Sequence, residues 1–437
     1  MEFVIFLYII TGIIVVYKEY KNVIKLHKIT MGTLCFLFYA ILCCIVPGLT
    51  IWKGDVSRCK DYSTYYAFIS YLATLLTLIA SYWGYNKSSK SMKSNIVLER
   101  FTDSKVPGNK NLLFASLIFL AVSFISLFYW SSGYGGIINV MLVGDQIRSS
   151  FLSSTNSLMF LKHLIPLSII SSLMMFTDIF INKGKKGNFI KLLVMVVSIV
   201  VSFIYIMAND GRMLAGTFLL YFIMIVLKYQ YEVKGNSVKR IATYSIVIIS
   251  AIFFVIIQSE AWFAEIRHAN VAESEHDVLG IVLREFNFIY ISLNTALYTI
   301  NNGMSDYVIL NDLLNGLFAW LPTSLKPVAL ADVWDYNTLL INDGGYGQSP
   351  ACLAAQSFYD LGLIGLLVVP FTYTYIVGKV ENLLDNDYST SGLVFYVTLG
   401  FYFAKGMAYF SFYNIMMNIF FVVVGLIAYK KLIVKIY

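Results

Sequence analysis

The sequence predicts an all-α polytopic membrane protein, and three observations lead there. Hydrophobic residues make up 58% of the 437 and charged ones only 13%, with a mean hydropathy of +0.72, well outside the range of soluble globular domains. Apolar runs long enough to cross about 30 Å of hydrocarbon recur about eleven times. No segment alternates polar and apolar residues as a barrel strand does, so the backbone must satisfy its hydrogen bonds within helices.

In chain order the spans are predicted at 2–17, 31–52, 64–84, 112–130, 158–179, 192–207, 213–229, 241–257, 361–380, 392–410 and 414–432. The first has no cationic region before its apolar run and no small-residue cleavage pattern after it, so it reads as a span and not as a signal peptide. One set of connections holds Lys18, Lys21, Lys25 and Lys28, then Lys87 to Lys110, Lys183 to Lys191, Lys228 to Arg240, and Lys430 to Lys435. The opposite set is poorer in cations. By the positive-inside rule the first set is cytoplasmic, which places the N-terminus outside and the C-terminus inside. The net charge of +7 is this bias, and cations scattered among short loops form no basic face for nucleic acid. Cys35, Cys43 and Cys44 lie inside the second span; Cys59 and Cys352 face outward, where a disulfide between them stays open. No Cys/His spacing suits a zinc site.

Three parts follow: 1–257 with about eight spans, a large outer loop at 258–360, and 361–437 with about three closing spans. The outer loop concentrates the chain's acid and base chemistry. It places Glu260, Glu265, Arg267, His268, Glu273, Glu275, His276, Asp277, Arg284 and Glu285 in one short interval. Within it, 279–300 is apolar at helical spacing but interrupted by Arg284, Glu285, Asn287 and Asn294, which predicts an amphipathic helix at the interface, with a re-entrant or spanning form as the alternative. NDLLNGLFAWLPTSLKP is a second amphipathic piece, ended by Pro322 and Pro327. In NDGGYGQSP, Gly344, Gly345 and Gly347 permit close backbone approach before LAAQSFYDLGLIGLLVV opens the next helix. No internal repeat and no matched pair of broken segments mark the two halves, which speaks against many secondary transporters.

ANDGRMLAG at a short outer turn, LREF and NGLFAWLP in the long outer loop, and GGYGQSPACLAAQSFYDLGLIGLL entering a late span together resemble the Wzy-type O-antigen polymerases, or oligosaccharide repeat-unit polymerases. The likeness is one of layout over essentially the whole chain. It implies a GT-C-like membrane glycosyltransferase at the outer face of a bacterial cytoplasmic membrane. Its donor and acceptor would be undecaprenyl-pyrophosphate-linked oligosaccharides, with membrane lipid around it and a chain-length regulator protein as partner. No cofactor, metal or nucleic acid is implied. The family's two outer-facing arginines match Arg212, in the NDGR turn, and Arg284, in LREF, with Arg267 a further match. The His-containing signature of the related ligases is missing, so neither His268 nor His276 inherits a ligase role.

Transfer from a pyrophosphate carrier needs charge stabilisation on the leaving group and a base for the acceptor hydroxyl. Arginine suits the first, because its planar fork donates two parallel hydrogen bonds to phosphate and stays charged. Arg212 sits between two apolar segments, where the competing reading is an Asp210/Arg212 pair capping the turn. Arg284 stands beside Glu285 and either acts on substrate or pairs locally. Arg267 and His268 follow Trp262 and Phe263, which make either a sugar platform or an interfacial aromatic belt. Arg148 in VGDQIRSSF is a further substrate candidate, as is Tyr346 in the glycine turn. Lys162 and His163 either line the lipid-pyrophosphate path or anchor their helix in the headgroups. For the base the choice lies between His268 and Glu285. A ligase keeps the donor and changes the acceptor. A flippase would carry charges deep in several spans, and here the spans read as nearly uncharged.

Overall fold

The computed structural model describes residues 1–89, 111–148, 152, 159–182, 188–209, 212–235, 280, 283, 285–308, 311–319, 321, 333–342, 349–384 and 389–429. These residues are helical, with no strand among them beyond one isolated bridge between Ala351 and Phe410. In order the helices are α1 (Glu2–Leu26), α2 (Met31–Lys53, with a π-helical stretch at Tyr39–Ile45), α3 (Thr64–Ser89), α4 (Asn111–Ser132), α5 (Ile137–Leu142), α6 (Gly144–Arg148), α7 (Leu167–Ile181), α8 (Asn188–Ala208) and α9 (Arg212–Lys228). After them come α10 (Phe288–Asn301), α11 (Asn311–Leu317), α12 (Val333–Ile341), α13 (Leu353–Leu384), α14 (Thr390–Ala408) and α15 (Phe412–Ile427).

Eight helical segments among the described residues are long and apolar enough to cross a membrane, and each falls on a predicted span. Of the other three predictions, 241–257 lies outside the described residues. The last two fall on α14 and α15, which are helical without meeting both criteria: α15 is 16 residues long, and α14 holds Lys405 among its glycines and tyrosines. Nearly every side chain of α14 is buried, so protein rather than lipid surrounds it and its composition is relieved of the demand for uniform apolarity.

The chain divides into two units. The first comprises Met1–Ser94, Asp277–Leu383 and Gly400–Met417. Here α1 lies against α2, and Val4 and Tyr8 meet Ile51, Ala67, Tyr71 and Tyr290 in one cluster. Tyr8 packs edge-on to Tyr71 and Tyr290, with centroids 5.2 and 6.5 Å away. α3 and α13 approach through small residues, Ser81, Gly84 and Ser88 facing Phe371, Thr374 and Gly378, and Thr374 Oγ1 donates to the Ser81 carbonyl at 2.8 Å.

The stretch read as an interfacial helix is different. α10 is buried at every residue from Ile289 to Leu297. The asparagines that suggested a wet face are spent inside: Asn294 Nδ2 donates to the Asp61 carbonyl at 2.6 Å and Asn287 Nδ2 to Asp55 Oδ2 at 2.9 Å. α11 is amphipathic, with its polar side inward. Asp312, Asn315 and Gly316 are buried while Leu313, Leu314 and Leu317 are exposed, an arrangement suited to lipid outside and protein inside. Asp312 accepts from Ser411 Oγ at 3.0 Å and from the Phe412 amide, which caps α15. All five cysteines are free thiols, so Cys59 and Cys352 form no disulfide.

The second unit comprises Asn95–His276, Leu384–Leu399 and Asn418–Tyr437. Its centre is a serine seam between α4, α7 and α8. Ser168 and Ser202 hydroxyls lie 2.8 Å apart and Ser171 and Ser198 2.9 Å apart. Ser171 gives its proton to the Ser116 carbonyl at 2.9 Å, which leaves Ser198 as the donor to Ser171. Apolar helices in lipid gain little from hydrophobicity against each other, so small hydroxyl residues that allow close approach and bond across the gap hold such a seam.

Candidate functional site

In the second unit the turn ends opposite the lysine-rich loops come together around an apolar cluster. Leu127 and Trp130 from the end of α4, Val140 from α5, Ile165, and Val201 and Ala208 from the end of α8 form it, with Ile147 of α6 packed against it. Trp130 lies edge-on to Tyr134, centroids 5.7 Å apart, and 6.5 Å from Tyr205.

Four of the predicted residues issue from this one end. Arg148 closes α6, whose helix packs on α8. Lys162 and His163, both half-buried, lie in a 3-10 turn, Met159–Leu164, that packs on α4 and leads into α7. Arg212 is the first residue of α9, four positions beyond Ala208. Arg148, the turn holding Lys162 and His163, and Arg212 thus lie on three elements at a shared end, and arginine and lysine there suit a phosphate-bearing ligand. Tyr134 and Tyr205, half-buried beside Trp130, are aromatic neighbours that the sequence reading did not single out. The signal was present in the four-residue spacing of Trp130 and Tyr134 at the end of a span.

Glu285 belongs to the first unit, in the helical turn just before α10, where it is half-buried and engaged by neighbouring groups. Arg267, His268, Arg284 and Tyr346 lie outside the described residues.

The first unit holds a second polar assembly, at the start of α13, within the sequence stretch that includes GQSPACLAAQSFYD. Tyr359 donates its hydroxyl to Asn337 Oδ1 at 3.0 Å, and Asn337 Nδ2 donates to the carbonyls of Ser349 and Pro350 at 2.9 and 3.3 Å. The Ser349 amide donates to Thr338 Oγ1 at 2.6 Å, and Trp334 Nε1 to the Phe410 carbonyl at 2.8 Å. These bonds fix the entry of α13 against α12. Burial pushes the Cys352 thiol up from its ordinary value and also raises the Tyr290 hydroxyl, so both stay neutral. Tyr290 also floors a cavity of about 460 Å³ lined by Met1, Ile51, Gly54, Val56, Ser57 and Tyr62. That lining carries no charged side chain.

The spans are less bare of charge than the sequence suggested. Glu19 and Glu381 are buried at 2% and 0% exposure and accept tyrosine hydroxyls from Tyr82 and Tyr85. In the second unit Lys228 and Glu232 pair at 2.7 Å with Lys228 4.0 Å from the centre of the Tyr396 ring, and Lys191 pairs with Asp178 at 2.5 Å. All stand near helix ends on the lysine-rich side, where charged side chains are least costly to keep in a membrane protein.

No family model, no curated protein and no solved structure matches this chain.

Proposed function

We propose that this protein is a membrane glycosyltransferase that joins undecaprenyl-pyrophosphate-linked oligosaccharide units, the activity implied by its resemblance to the repeat-unit polymerases. The observation that supports it most is the common end of the second unit at which Arg148, Lys162, His163 and Arg212 lie on the chain. In the transfer, the acceptor sugar's hydroxyl oxygen bonds to the donor's anomeric carbon as the bond to pyrophosphate breaks. Negative charge collects on the departing pyrophosphate, and fixed cations in a poorly hydrated site stabilise it without reorganising. The acceptor proton passes to a base. With side-chain cations in that role the reaction needs no divalent ion, and activity that survives EDTA is the expected result. On this reading the cationic end faces outward from the cytoplasmic membrane, opposite the lysine-rich loops.

The test is an in vitro reaction of the purified protein with its lipid-linked repeat unit, read as a product ladder, beside Arg212→Ala and Arg284→Ala. The expected result is a ladder from the wild type that collapses to single units in folded variants. An unchanged ladder removes these arginines from the chemistry, and no ladder from the wild type removes the polymerase reading. Transfer to a lipid A core or a protein without a ladder would indicate a ligase. Reconstituted vesicles that move labelled lipid between leaflets without extending it would indicate a flippase instead.

A further inference from the structure

Helix α13 breaks just after Asp360. Leu361 (φ −142°, ψ 17°) and Gly362 (φ 61°, ψ −139°) leave the helical region, and a Cβ at residue 362 would lie 2.9 Å from the Tyr307 hydroxyl, so only glycine fits there. Leu353–Asp360 is therefore a half-helix that ends inside an apolar segment. The last carbonyls of a helix carry its partial negative charge, and here that end coincides with a carboxylate.

Gln356 and Asp360 are one turn apart on the same face, 0% and 4% exposed. Gln356 Nε2 donates to Asp360 Oδ2 at 3.2 Å. That bond orients the amide and leaves two oxygens, Gln356 Oε1 and Asp360 Oδ1, both buried and both without a hydrogen-bond partner among the described residues. Two nearby donors, the Tyr359 hydroxyl and the Val308 amide, are used elsewhere. The Tyr359 hydroxyl is given to Asn337, Tyr359's carbonyl takes the Val308 amide at 2.8 Å, and Tyr307 packs on Gly362 and Phe358. Neither ion pair described elsewhere in the chain involves Asp360. Two buried oxygens without donors at the negative end of a broken helix form an acceptor-only site, and such a site calls for positive charge.

We propose that Asp360 and Gln356, together with the carbonyl end of the half-helix, bind a monovalent alkali cation. The class follows from charge: one carboxylate and neutral oxygens balance one positive charge, whereas a divalent ion would leave a buried charge uncompensated. The ligands are all hard oxygens, which suit alkali ions and not soft metals. Broken membrane helices present carbonyl ends to sodium in this manner. Occupancy ties the end of Leu353–Asp360 in place and so stiffens the bend at Leu361 and Gly362. This inference is independent of the glycosyltransferase reading.

The experiment is a thermal melt of the full-length protein in detergent at fixed pH and ionic strength, with choline chloride replaced stepwise by lithium, sodium or potassium chloride. The expected result is a saturable rise of a few degrees with a preference for one alkali ion, lost in Asp360→Asn, and in Gln356→Leu a half-saturating concentration raised about tenfold. Equal melting in choline and in every alkali salt overturns the proposal, as does an ion-dependent rise that persists in Asp360→Asn. Melting that follows pH without preference among the salts also overturns it, by giving the two oxygens a proton instead. Where Asp360→Asn does not fold, Asp360→Glu displaces the charge, and an unchanged half-saturating concentration in that variant overturns the site.

Discussion

The Tyr85 hydroxyl donates to Glu381 Oε2 at 2.6 Å, joining residues 296 positions apart in sequence at the lysine-rich end of the first unit. Tyr82 makes the parallel bond to Glu19 Oε1 at 2.7 Å, and the Phe36 ring stacks on Tyr82 at 3.8 Å between centroids. Two carboxyl groups are thereby held inside by phenolic donors. Tyr85→Phe keeps the ring and removes the donor, so it should destabilise the folded protein by about 1–3 kcal/mol. Tyr20→Phe, at an exposed tyrosine, should leave the melting temperature unchanged. Equal melting of Tyr85→Phe and wild type in a thiol-free thermal assay would show that the bond contributes nothing.

A second pair tests how buried charge is tolerated. Lys228 and Glu232 are 5% and 2% exposed at their side chains and bonded at 2.7 Å. Removing one partner leaves the other charge buried, and Lys228→Met should cost about 3–5 kcal/mol. Lys228→Met with Glu232→Leu should recover most of that loss, because two apolar groups replace two charges. A double variant as unstable as the single one would mean that packing against Tyr396, not charge, sets the cost.

How far the sequence foretells such pairs differs by element. The spans were legible because hydrocarbon thickness imposes length and apolarity on each helix by itself, without reference to its neighbours. The common end of Arg148, Lys162, His163 and Arg212 was legible in part for the same reason, since successive spans return the chain to alternate sides. α10 was not. Its asparagines look like an interface when read along one helix, and the partners that bury them, Asp55 and Asp61, lie 232 and 233 residues upstream. Asp312 likewise reads as a solvent-facing acid until Ser411, 99 residues on, meets it. The break at Gly362 hides in an apolar run because glycine in such a run signals close packing as readily as a bend.

Cys59 offers a pH test outside the spans. Burial, helped by the Asp55 carboxylate, pushes its thiol up to about 12. The thiolate is the reactive form, so maleimide labelling of the folded protein near pH 8 should be slow, rise about tenfold per pH unit, and jump on unfolding. The stability consequence has a definite sign. The folded state holds the proton more tightly than the unfolded one, so the contribution is intact below about pH 9 and declines as pH climbs from there toward 12. Rapid labelling at neutral pH in the folded state would refute the shift.

A close helix approach in the first unit gives a steric test. Gly84 faces α13 so tightly that a Cβ would stand 2.1 Å from the Phe371 carbonyl oxygen and 2.6 Å from Thr374 Oγ1. A side chain in the way can rotate, but a helix carbonyl cannot without breaking its own bond. Gly84→Ala should therefore push α3 and α13 apart, losing the Thr374 to Ser81 bond with the packing, at a cost of about 1–3 kcal/mol. Removing the threonine as well distinguishes the two obstacles. Gly84→Ala with Thr374→Ala should remain as unstable as Gly84→Ala alone if the carbonyl is the barrier, and recovery of the wild-type melting temperature in the double variant would place the barrier at the side chain instead.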